Sequence, residues 1–156
     1  MALAGAVVVT LAATSAWAEG TSFRVRFDQA DAALNQGAGY KDATNENGLL
    51  GWGESYVLMS YAAMFRQSLD PGYLIKLADH GLSVLASTDA ARGINDFAGR
   101  SRACWLATKY SGPGNEPACW CVHTGMIAAP LAELGAPVAA HPHLAGLAVP
   151  GKGTLG

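Results

Sequence analysis

Charge is scarce in this sequence. Of 156 residues only ten are Lys or Arg and twelve Asp or Glu, a formal net charge of −2. Charged residues make up 14%, where soluble proteins average about 25%. No basic block exists to neutralise a phosphate backbone, which sets nucleic acid aside as a partner. With 51% hydrophobic residues, a disordered, solvating chain is excluded too. The familiar catalytic signatures are also missing: no glycine-rich phosphate loop, no Gly-x-Ser-x-Gly elbow and no His-Glu-x-x-His. Asn45-Glu-Asn-Gly48 resembles only part of a calcium loop. After the amino terminus no apolar run reaches the roughly 18 residues that a membrane span requires, so a membrane-embedded body is not expected.

What is present begins with an apolar run from Ala2 to Ala13, broken by Thr10 and followed by Ala16-Trp17-Ala18, with small residues where signal peptidase reads. Residues 1–18 therefore read as an export signal, with the mature chain starting near Glu19 in the periplasm or outside the cell. The alternative is a buried or interfacial helix, since Met1 to Gly5 carries no Lys or Arg and so lacks the usual positive start. Export places the three cysteines in an oxidising compartment. Cys104 can then bridge to Cys119 or to Cys121, closing a loop of about 15 residues that contributes roughly 3 kcal/mol in the chain-entropy model. A metal alternative uses Cys119-Trp-Cys121-Val-His123 with Cys104, but this spacing matches structural zinc sites poorly. No metal and no cofactor are expected.

The organisation is all-α. Between Ser55 and Phe65 apolar residues fall on every side, which predicts an enclosed inner helix. Asp70-Pro71 then gives a cap followed by proline at the first helical position. From there Leu74, Leu77, Ala78, Gly81, Leu82 and Leu85 make an apolar stripe, with Lys76, Asp79, His80 and Ser83 expected on the wet face. The short link makes the two helices antiparallel neighbours. A second inner helix is expected from Val122 to Leu134, kinked or ended at Pro130, and His141-Pro142 repeats the Asp70-Pro71 start of an outer helix. Residues 19–48 read as a loop-rich segment with a short strand or helix from Phe23 to Leu34, 49–134 as the hairpin region, and 135–156 as a truncated or flexible tail.

Candidate functional residues gather at the helix starts, where free N–H groups and the positive dipole end face outward. Glu54 and His123 occupy nearly equivalent places there and can serve as acid and base if they converge. Tyr56 and Tyr61 are further proton-transfer candidates, while Trp52, Trp105 and Trp120 sit at loop–helix junctions where an indole can stack on a sugar. The long segment from Ser87 to Pro117 supplies Asp96, Arg100, Arg102, Lys109 and Tyr110 for an anionic or hydroxyl-rich ligand. Each has a structural alternative: a dipole-complementing carboxylate for Glu54, a hydrogen-bonded core histidine for His123, packing for the aromatics and a solvated loop for the cations.

The runs Gly51-Trp-Gly-Glu-Ser-Tyr-Val-Leu-Met-Ser-Tyr, Leu69-Asp-Pro-Gly-Tyr-Leu and His123-Thr-Gly-Met-Ile-Ala-Ala-Pro resemble the helical ring of secreted bacterial proteins related to the carboxy-terminal domain of glucuronyl C5-epimerases. That ring belongs to the wider (α/α)-toroid group of glycosidases and polysaccharide lyases. The resemblance covers Leu49 to Leu134 and implies an amino-terminal part of a toroid. It also implies proton abstraction at C5 of a uronic-acid-containing polysaccharide or oligosaccharide, with Tyr56, Tyr61, His123 and Arg100 the positions able to carry such roles. A glycoside hydrolase of the same ring type, a non-catalytic scaffold or glycan-binding remnant, and a peptide-binding helical repeat are the other readings. Inner helices left uncovered would expose an apolar patch and favour self-association.

Overall fold

The computed structural model describes residues 14–110, 114 and 116–156, with side chains from Phe23 onward. The chain divides after Gly37 into two units. In the first, helix α1 (Thr14–Ala33) is steadied on its surface by Arg24 and Asp28, one turn apart at 3.9 Å. It ends where Asn35, Gln36 and Gly37 turn left-handed in succession. The expected element from Phe23 to Leu34 is thus helical. The apolar run Ala2–Ala13 lies outside the described residues, and Ala16-Trp17-Ala18 falls within the first turns of α1.

Among its described residues the second unit, Ala38–Gly156, is mostly helical with four two-residue strands. A wide helical turn from Leu50 to Glu54 runs directly into α2 (Ser55–Ser68). Gly51 makes this turn possible, because a Cβ there would lie 3.0 Å from the His123 ring. Helix α2 stops at Leu69, a non-glycine residue at φ 54, a conformation that costs roughly 1–2 kcal/mol outside glycine. Asp70 then caps α3 (Pro71–Ala86) by accepting the Gly72 N–H at 2.8 Å, with Pro71 at the first position as expected. A two-residue link makes α2 and α3 neighbours, and they pack on one another.

Two expectations about this hairpin need correction. Helix α2 is not enclosed all round: Ser55, Leu58, Tyr61, Ala62, Met64 and Phe65 are buried, but Tyr56 is 54% exposed and Ala63 faces solvent. Among the described residues of this unit, α3 and α5 pack on it and no closed ring of helices surrounds it. In α3 Leu74, Leu77, Ala78 and Gly81 of the expected stripe are buried, but Leu82 and Leu85 are exposed, and Tyr73, His80 and Val84 are buried in addition. Lys76 lies on the wet face as expected, whereas His80 lies inside.

From α3 the chain passes a single helical turn, α4 (Asp89–Arg92), and the antiparallel pair β1 (Leu106–Ala107) and β2 (Ala118–Cys119). The Cys104–Cys119 disulfide joins the ends of this segment, while Cys121 is free and exposed. Helix α5 (Cys121–Ala140) then packs against both α2 and α3. It continues through Pro130 and Pro137 rather than ending at the first. Pro130 is buried, and packing of its ring offsets the hydrogen bond that a mid-helix proline gives up. The core here joins Leu50, Val84, Trp105 and Ile127, with Leu131 against them.

His141-Pro142 opens a short turn, Pro142–Leu144, and not a second outer helix. Residues 135–156 finish α5 and form the hairpin β3 (Ala148–Val149) and β4 (Gly153–Thr154), with Val149 buried. Lys152 in the hairpin loop binds Asp79, its main-chain carbonyl and the Ser83 hydroxyl on α3, and Lys41 takes Asp79 from the other side at 2.5 Å. Desolvation pushes the Asp79 carboxyl up, but the two ammonium groups outweigh it and hold the group below the usual carboxylate range. Between α2, α3 and α5 an apolar groove of about 600 Å³ remains, lined by Ala62, Phe65, Leu74, Leu77 and Pro137, with the Arg66–Glu133 ion pair at 2.5 Å beside it. Among the described residues no helix is long and apolar enough to cross a membrane.

Candidate functional site

Glu54 and His123 do not converge. The turn Leu50–Glu54 sends Glu54 toward α3 and brings Gly51 against His123, so each group finds a different partner.

Glu54 is fully buried and both of its oxygens are taken. Oε1 lies 2.7 Å from His80 Nδ1, and Oε2 accepts the Tyr40 main-chain N–H at 2.6 Å. A carboxylate accepts only, so His80 carries its proton on Nδ1. The Tyr61 ring meets His80 edge-on at 5.1 Å, and Lys76 lies 5.7 Å from the centre of that ring. Glu54, His80 and Tyr61 thus tie the entering turn, α2 and α3 together from within. Tyr61 is fully buried, so neither it nor Glu54 meets a polymer at the surface.

His123 sits differently. Asn45, held in the turn that closes from Gly48 N–H to the Asn45 carbonyl, accepts the Gly51 N–H through Oδ1 at 3.0 Å. Its Nδ2 donates to the Trp105 carbonyl at 3.0 Å and faces His123 Nδ1 at 3.2 Å. Two main-chain groups therefore fix the amide's orientation, since a flip would set donor against donor and acceptor against acceptor. His123 Nδ1 must then accept, which leaves the proton of the neutral ring on Nε2. Burial holds the imidazole below its ordinary pKa and so keeps it neutral.

Two rings flank this histidine. Trp52 meets it edge-on at 5.4 Å and Tyr110 at 5.1 Å. His123 is only 2% exposed, whereas Trp52 is 41% and Tyr110 42% exposed. Gly48, at φ 75, runs between the rings, where a Cβ would come within 3.0 Å of both side chains. The Lys109 ammonium lies 5.7 Å from the centre of the Tyr110 ring, and the Glu46 carbonyl accepts the N–H groups of Thr108 and Lys109. Two half-open aromatic rings thereby flank a buried neutral histidine, with an exposed ammonium beside one of them.

Of the residues singled out from sequence, Trp52, Lys109, Tyr110 and His123 meet here. Tyr56 is exposed on the first turn of α2. Trp105 is no binding residue: it is buried, and its Nε1 donates to the Val84 carbonyl at 2.9 Å. Trp120 precedes α5 with its Nε1 buried and lacking a hydrogen-bond partner among the described residues. Arg100 is committed to Asp96, with Nε and Nη2 each 3.0 Å from Oδ2. The Arg100 and Ala98 N–H groups cap the other Asp96 oxygen, and with the guanidinium they hold that carboxyl below its usual range. Residue-by-residue reading missed Asn45 and His80. For His80 a signal existed, in the spacing of Tyr73, Leu77, His80 and Val84.

A second polar cluster lies at the disulfide. Asp89 Oδ2 accepts the Leu106 N–H at 2.9 Å and lies 3.3 Å from Cys104 Sγ and 3.6 Å from Cys119 Sγ. The carboxyl is buried, and desolvation raises its pKa.

No protein-family model, no curated protein and no solved structure matches the chain.

Proposed function

We propose that this protein binds an acidic oligosaccharide at the His123 mouth, as a glycan-binding helical module. The observation that carries the reading is the pair of half-exposed rings, Trp52 and Tyr110, on either side of a buried neutral histidine. An aromatic face stacks on the apolar side of a sugar ring and keeps much of its area dry. Lys109 provides the positive charge that a uronate carboxylate requires, and the buried His123 ring holds the two aromatic rings in place from within. On this reading the hairpin α2–α3 with α5 packed on both is a portion of an (α/α) toroid. The Cys104–Cys119 disulfide suits an exported protein.

A second reading, C5 proton abstraction of epimerase or lyase type, draws support from the neutral state of His123. It is the weaker of the two. The ring nitrogen not engaged by Asn45 carries a proton, so it acts as a donor and not as a base. Glu54 and Tyr61 are spent inside the fold.

Calorimetric titration with uronate oligosaccharides distinguishes the readings. Saturable binding that Trp52→Ala abolishes, with no deuterium entering C5 in heavy water, is the expected result. Deuterium incorporation or unsaturated product would replace binding with catalysis, and absence of heat and of turnover would overturn both.

A further inference from the structure

The surroundings of the disulfide are better suited to two thiols than to the bond between them. Asp89 Oδ2 lies 3.3 Å from one sulfur and 3.6 Å from the other. Disulfide sulfurs carry no proton, so among the described residues this buried carboxylate is favoured only by the Leu106 N–H and the more distant charge of Arg92, which desolvation outweighs, and it gains nothing from either sulfur. A buried carboxylate with so little return calls for a state in which the sulfurs do bind it or share a ligand with it.

We propose that the reduced protein binds a thiophilic divalent cation, zinc or its analogue cobalt(II), through Asp89 Oδ2, Cys104 Sγ and Cys119 Sγ, and that disulfide and metal are alternative states of one site. The three donor atoms already lie within 4.8 Å of one another. A tetrahedral ion with about 2.3 Å to sulfur and about 2.0 Å to oxygen requires sulfur–oxygen separations of about 3.5 Å, which 3.3 and 3.6 Å bracket. Only the two sulfurs have to part. Their Cα atoms stand 6.1 Å apart, toward the wide end of the roughly 4.4–6.8 Å that disulfides span. Asp89 and Cys104 are buried and Cys119 is half-buried, so the fourth position opens on Cys119's side, where water can complete the shell.

A phosphine attacks one sulfur of the Cys104–Cys119 bond, and water hydrolyses the phosphorus–sulfur intermediate. The phosphine leaves as its oxide, having supplied two electrons, and two thiols form. The cation then displaces both thiol protons to solvent, and the carboxylate completes a site in which two thiolates and Asp89 outweigh the ion's two positive charges.

The test uses the whole protein, reduced with a phosphine, freed of it anaerobically and titrated with cobalt(II). One equivalent should give thiolate-to-cobalt charge transfer in the near ultraviolet and the intense visible bands of a tetrahedral ion. The oxidised protein should give neither. With zinc bound, alkylation and peptide mapping of the unmutated chain should find Cys104 and Cys119 protected and Cys121 modified, which needs no variant that folds. Asp89→Asn should weaken cobalt binding by at least about tenfold, as ligand-shell losses do, and Cys121→Ser should leave it unchanged. Equal alkylation of all three cysteines, an absent cobalt spectrum, or binding that Cys121→Ser abolishes would each overturn the proposal.

Discussion

His80 and His123 are equally buried, at 2% exposure each, yet the protein treats them in opposite ways. His80 is held by the Glu54 carboxylate and roofed by Tyr61, so its environment is complete without any ligand. Among the described residues His123 has no charged partner. One nitrogen is taken by a neutral amide, and its flanks are two rings that are still half in water. Burial alone therefore does not separate a structural histidine from a binding one. What separates them is whether neighbouring groups satisfy one another or leave exposed recognition surface beside the ring.

The sharpest way to break this comparison is Glu54→Ala. Removing the buried carboxylate leaves the His80 ring nitrogen and the Tyr40 N–H without their acceptor, so the variant should lose about 2–5 kcal/mol in urea unfolding, at about 1–3 kcal/mol for each buried group left unsatisfied. A loss below about 1 kcal/mol would mean that the pair is not structural. Asn45→Ala deletes the acceptor for Gly51 N–H and the donor to Trp105 and His123. It should cost about 2–3 kcal/mol, the range for buried groups left unsatisfied, and should free His123 to change tautomer, visible in the nitrogen shifts of its ring.

The dependence on pH sharpens the contrast further. Burial depresses the His123 pKa below 6.5, so below that value the unfolded chain binds more protons than the native one. The stability from this group is complete above pH 6.5 and drains away as pH falls toward the lowered native value. Urea midpoints measured stepwise downward from about pH 7.5 should show the decline, and His123→Gln should flatten that part of the curve. The smallest effect concerns the hinge between the helices. Leu69→Gly relieves a left-handed φ of 54 and should raise stability by up to about 1 kcal/mol, read as a higher melting temperature.

The local signals read correctly in the sequence are those set by neighbours in the chain. Asp70-Pro71 fixes the start of α3 through the Asp70 carboxylate, which accepts the Gly72 N–H, and through the proline at the first position, and the apolar residues from Ser55 mark α2 as a helix. What sequence could not supply was the sharing of faces between helices. Two stripes compete on α3, one ending in Leu82 and Leu85 that leaves His80 in water and one through Tyr73, Leu77, His80 and Val84, and the packing of α2 and α5 selects the second edge. Trp105 reads equally well as a sugar platform or as core until the Val84 carbonyl is found beside its Nε1. Asn45 and Asp89 act across 78 and 30 residues, on His123 and Cys119, distances over which no local pattern carries information.

The most direct measurement follows the side-chain resonances of Trp52, His123 and His80 by NMR during one titration with a uronate oligosaccharide. Saturable shifts at Trp52 and His123, with His80 unmoved, are the predicted result. Shifts at His80, or none at Trp52 and His123 at saturating sugar, would contradict the assignment of the two histidines and the binding role built on it.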